Sequence, residues 1–210
     1  MGHPSCCKTS LYGFLISMNL ALSLSRRVDA LNRAVGRGMA WATLVMVLIG
    51  AFNAVARTVE RQVGLELSSN AYLEAQWYLF SLVFLLGAPY TLRANAHVRV
   101  DVLYGQHPAR WKAWTDLVGS LLFLVPFCLF AIWISWDFVT NSLEVLERSP
   151  DPGGLPRWPL KLVVPFAFAL LGLQGLSEAT KRIAFLSGMS AEEVGLVEPP
   201  LVNRDKQAQA

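Results

Sequence analysis

The chain has 210 residues, 54% of them hydrophobic and only 16% charged, with a formal net charge of +3. Charges that are this sparse, and gathered between long apolar runs instead of spread along amphipathic faces, exclude an ordinary soluble domain. The small positive balance comes with no dense basic cluster and no interleaved aromatics, which excludes nucleic acid as a partner.

The first 24 residues are ambiguous. Residues 11–24 are apolar and are followed by Ser25-Arg26-Arg27, so they resemble a signal-peptide core or a short interfacial segment. An over-extended start is a plainer expectation, with translation beginning at Met18. From Leu24 the pattern changes: Leu24, Val28, Leu31 and Val35 recur at helical spacing, with Arg26, Arg33 and Arg37 on other faces. This predicts an amphipathic helix on the cytoplasmic interface, or a cytoplasmic extension of the first span, with Gly36 and Gly38 as the only breakers between the two.

Four apolar runs follow, at about 39–56, 75–92, 117–136 and 160–177. Each approaches the roughly 20 residues that a helix needs to cross a hydrocarbon core about 30 Å thick. Lipid cannot satisfy a bare backbone, so all four are expected to be helical. The fold class is therefore all-α integral membrane, a four-helix domain over residues 25–187, with 188–210 expected to be a disordered cytoplasmic tail.

Lys8, Arg26, Arg27, Arg33 and Arg37 precede the first span, and the loop after the second carries Arg93, Arg99, Arg110 and Lys112. The excess of basic residues places both termini and the middle loop in the cytoplasm of an inner-membrane protein. The third connection has three basic residues but also Asp137, Glu144, Glu147 and Asp151.

No ionisable residue falls at mid-span. Glu74, Asp116, Asp137 and Glu178 sit at span edges, within reach of headgroups or water. Thr43, Asn53, Ser81, Ser120, Ser135 and Gln174 read as interhelical hydrogen-bonding groups. Pro89, Pro126 and Pro165 punctuate three spans and read as kinks repaired by neighbouring groups. All three histidines lie outside the spans, which disfavours a haem-bearing membrane anchor. No hydrolytic constellation or phosphate loop is present, so the chain is expected not to be an enzyme.

Two connections carry more specific information. The cytoplasmic one contains His97-Val98-Arg99-Val100-Asp101, where Arg93, His97 and Asp101 are expected to align on one helical face a turn apart. The periplasmic one runs Glu147-Arg148-Ser149-Pro150-Asp151-Pro152-Gly153-Gly154-Leu155-Pro156-Arg157-Trp158, and its proline and glycine density implies a fixed turn.

In this order, with four spans around them, the two stretches resemble the small permease subunit of tripartite ATP-independent periplasmic transporters. The first looks like that family's H-x-R-V-D signature. The second, followed by Lys161, Pro165, Phe168, Gln174 and Gly175, is similar to the mannitol and chloroaromatic-compound branch. The resemblance covers about residues 25–187. It implies a scaffold that braces a large permease subunit, with a soluble periplasmic binding protein delivering an organic acid. It also implies that the sodium gradient acts through ions held by the large subunit, so no cofactor, metal or substrate site is expected here.

Within this frame Arg93, His97, Arg99 and Asp101 are expected to form a network that holds the cytoplasmic turn or grips the large subunit. Glu144, Glu147, Asp151, Gly153, Gly154, Arg157 and Trp158 are the candidates for contact with the periplasmic partner. A self-sufficient homo-oligomeric carrier or channel is the competing expectation, and it would need polar faces lining a path.

Overall fold

A segment in lipid must close its backbone hydrogen bonds within itself, and this chain does so with helices. The computed structural model describes residues 5–64, 69–96 and 107–196, with side chains from residue 18 onward except that of Val63. Helix α1 spans Ser5–Val63 and α2 spans Asn70–Arg93. Helix α3 covers Ala109–Val118 and passes through a π-helical stretch, Gly119–Leu124, into α4 at Val125–Glu144. Helix α5 is Trp158–Leu186 and α6 the short Ala191–Val194.

Four stretches are long and apolar enough to cross a bilayer: Met18–Gln62, Asn70–Arg93, Ala109–Glu144 and Trp158–Leu186. In the most apolar window of α2 only 6% of residues are buried by the chain itself. The spans therefore depend on lipid or a partner for cover.

The π-helical stretch has a local cause. Pro126 has no N–H to return to the preceding turn. A wider register just before it, in which the Val125 N–H reaches the Ser120 carbonyl, absorbs the misfit.

Three expectations need correction. Of the two readings of residues 24–37, the structure has the extension of the first span and not a separate interfacial helix, because α1 runs through Gly36 and Gly38 unbroken. Gly36 is a point of close approach, not a breaker: the Tyr90 ring lies where a Cβ would stand.

Helix α2 ends at Arg93, so the helical face expected from Arg93 onward does not run through residues 94–96; His97 and Asp101 lie outside the described residues. Asn95 takes a left-handed φ of 54°, its N–H bonds the Leu92 carbonyl, and the Ala96 N–H bonds that of Thr91. This paired arrangement is a strong helix stop, and asparagine tolerates it well.

Residues 188–196 are ordered, not disordered. Gly188 closes α5 by the same double bond pattern, with Met189 N–H to the Ala184 carbonyl. Ser190 and Glu193 then form a reciprocal capping box on α6. Residues 197–210 lie outside the described residues.

The chain divides into two compact units. The first comprises Met1–Ala30, Thr91–Val125 and Leu173–Ala210. Its apolar core joins Met18 and Leu22 of α1 to Ala184 and Val194, with Met189 and Leu196 packed against them. The second comprises Leu31–Tyr90 and Pro126–Gly172. Phe127 meets Phe168 there edge to face at 5.8 Å, and Phe52 meets Tyr72 in the same way at 5.5 Å.

Candidate functional site

In the second unit, the connection from α4 to α5 is a closed and internally bonded loop. Leu146 adopts a left-handed φ of 45°, which lets the Glu147 N–H bond the Ser142 carbonyl and ends α4. The Ser149 N–H then bonds the Leu155 carbonyl at 3.1 Å, and the Arg157 N–H bonds that of Glu147 at 2.9 Å. Between these rungs, the Gly154 N–H closes a tight turn onto the Asp151 carbonyl. Gly153 occupies a φ of 74° in that turn, a conformation that suits glycine.

One carboxylate from α2 pins this loop. Glu74 is 6% exposed; one oxygen accepts from the Ser149 hydroxyl and the other from the Leu155 N–H, at 2.6 Å for the latter. The Tyr78 hydroxyl donates to the Leu155 carbonyl at 3.4 Å. A side chain on Gly154 would collide with Ser149 and Glu74, so the close approach demands glycine.

Glu147 is a second pin. It accepts from the Ser142 hydroxyl at 2.8 Å and pairs with Lys161. The Lys161 bond, then the Ser142 bond, holds its carboxyl below the ordinary glutamate range.

Of the predicted periplasmic residues, the loop thus engages Glu147, Gly154 and Arg157 in its own architecture, and Trp158 opens α5 half-buried. Glu144, Asp151 and Gly153 are exposed. The loop offers charge on a rigid frame.

In the first unit, a polar network joins α1 to α5. Lys181, 2% exposed, places its ammonium 2.7 Å from Asp29 and 2.7 Å from Glu178. Gln174 donates to Asp29 at 2.9 Å and the Ser177 hydroxyl donates to it at 3.2 Å. Ser25 and Ser177 share a 2.6 Å hydrogen bond. Arg93 lies 4.0 Å from Asp29, so this signature residue joins the network through α1. Two carboxylates thus face two cations, and nearby Arg182 pairs with Asp116 at 2.9 Å. The other signature residues, His97, Arg99 and Asp101, lie outside the described residues.

This network and the Glu74 pin went unforeseen. The helices are longer than their apolar runs, so Asp29, Glu74, Glu178 and Lys181 belong to helices and face protein. The available signal was spacing: Gln174, Ser177, Glu178 and Lys181 continue one face of α5 beyond its apolar run. Several span polars also act locally, not between helices. Thr43 donates to the Met39 carbonyl, Ser81 to that of Trp77 and Ser135 to that of Ile132, each within its own helix.

Sequence comparison agrees with this architecture. A family model described as tripartite ATP-independent periplasmic transporters, DctQ component, matches residues 46–185. The isethionate TRAP transporter permease protein DctMQ of Oleidesulfovibrio alaskensis is 23% identical over 147 residues. That alignment covers 67% of this chain but 22% of the relative's own length. No solved structure matches the chain.

Proposed function

Since this chain belongs to the DctQ-component family of tripartite ATP-independent periplasmic transporters, we propose that it is the small membrane subunit that braces a large permease subunit. The complex takes up an organic acid delivered by a soluble periplasmic binding protein, driven by a sodium gradient whose ions the large subunit holds. The observation that carries the scaffold role is how the helices use their charges. Asp29, Glu178, Lys181 and Arg93 interact with one another, Asp116 with Arg182, and Glu74 with a loop. Groups engaged in this way fix helices; a transport path needs groups that exchange partners with cargo.

The basic excess around the N-terminal and middle segments supports an inner-membrane protein with both termini cytoplasmic. The pinned loop then faces the periplasm, where Glu144 and Asp151 form a rim that steers the incoming binding protein. Arg93 with His97, Arg99 and Asp101 serves the cytoplasmic turn and the grip on the large subunit. The family membership, beside a relative named for the sulfonate isethionate, supports a small organic anion as cargo. A carboxylate is the favoured class.

Reconstitution tests the scaffold role. Liposomes holding this chain alone should show no solute flux. Liposomes holding it with a co-encoded large permease and binding protein should show sodium-dependent uptake, slowed at low salt by Glu144→Lys with Asp151→Lys. Flux through the chain alone would overturn the scaffold role, and unchanged uptake by the double variant would remove the rim from it.

A further inference from the structure

Beside the pinned loop, α2, α4 and α5 enclose an open groove of about 430 Å³ within the second unit. It is amphipathic along its length. Trp77, Leu85, Phe138 and Val164 supply apolar wall, and Arg157 and Lys161 line it as well. Trp77 is 70% exposed and Phe138 51% exposed, so the wall is open to its surroundings. The Lys161 ammonium sits over the Phe138 ring at 3.9 Å from its centre, which places a cation at the border of the apolar surface.

We propose that this groove is a binding site for a phospholipid whose phosphodiester is its only headgroup charge, as in phosphatidylglycerol. The charged residues that line it are Arg157, Lys161 and Glu74. Both oxygens of Glu74 accept bonds from the loop, so the lining residues carry one net positive charge and their one carboxylate is tied to the loop. Glu147 pairs with Lys161 but does not line the groove, and it is also bonded to Ser142.

Both cations have donors in reserve. A guanidinium carries five N–H groups, and Arg157 directs its own to the Ser149 hydroxyl at 3.5 Å and to Tyr78. An ammonium carries three, and Lys161 uses one on Glu147. A single phosphate oxygen pair matches that donor set, with acyl chain against Trp77, Leu85 and Val164. A zwitterionic headgroup would bring a third cation beside Arg157 and Lys161, where Glu74 and Glu147 are already bonded to the protein.

Two measurements decide this. With a photoreactive phenylalanine analogue at Ser81, which lines the groove, illumination of native membranes should give an adduct of phospholipid mass. Crosslinking to a protein instead would mean that a partner subunit fills the groove, and would overturn the proposal. Native mass spectrometry of the full chain, offered phosphatidylglycerol and phosphatidylcholine in equal amounts, should retain the former preferentially. Lys161→Gln or Arg157→Gln should each lower that retention about fivefold, the worth of one cation near a lipid phosphate. Val164→Trp should displace either lipid. Equal retention of both lipids by the unmodified chain, or indifference to both charge removals, would overturn it.

Discussion

Lys181 shows most directly how a charge is kept within a membrane helix. Its ammonium lies between Asp29 and Glu178 and is almost wholly buried, so removing it leaves two carboxylates with only Arg93, 4.0 Å from Asp29, to offset them. Lys181→Met should therefore destabilise the first unit by about 3 kcal/mol, the usual cost of breaking one side of a buried ion pair. Thermal unfolding in mild detergent measures this, and Asp29→Asn in the same background should recover part of the loss by removing one of the stranded charges. Glu147 gives a different signature. Its carboxyl is held below the ordinary glutamate range, so its bonds to Lys161 and Ser142 contribute stability above that range. The contribution disappears as pH falls through the lowered value. Unfolding temperature followed from neutral into acid should fall for the unmodified chain in that window, with a shallower slope for Glu147→Gln.

At the scale of elements, the pinned loop depends on Gly154 as much as on Glu74. Gly154→Ala places a Cβ where Ser149 and Glu74 stand, so the Leu155 N–H should lose its carboxylate acceptor. Hydrogen exchange at Leu155 should quicken about tenfold, in line with the net worth of one hydrogen bond. The existence of the four spans was legible in the sequence because hydropathy sums over many residues and tolerates local error. Their ends were not. Residues 24–37 of α1 and 178–186 of α5 are helical but not apolar, and hydropathy cannot see a helix whose polar face is covered by another helix. The stop at Asn95 depends on one backbone conformation, and order in residues 188–196 depends on contacts with Met18 and Leu22, far away in sequence. The loop between α4 and α5 was legible as a fixed turn from its glycines and prolines. Which charges it consumes was not, because Glu74, its main anchor, is 75 positions from Ser149.

For the whole molecule, the two units differ in what holds them. The first is closed by ionic and hydroxyl contacts between α1 and α5 and by the α6 cluster. The second is closed by aromatic packing and the pinned loop. Both leave large apolar side chains uncovered, among them Trp41, Phe84, Phe123 and Trp133, as spans bedded in lipid require.

Ser25 and Ser177 bond across 152 positions of chain, which has a consequence for biogenesis. Residues 18–29 leave the ribosome early, whereas Gln174, Lys181 and Val194 emerge only as translation nears its end. Until then Asp29 has neither its lysine nor its amide, and Arg93 is the one network cation already synthesised. The clasp therefore closes only when nearly the whole chain has been made, and the first unit cannot complete its packing until α5 and α6 have been synthesised.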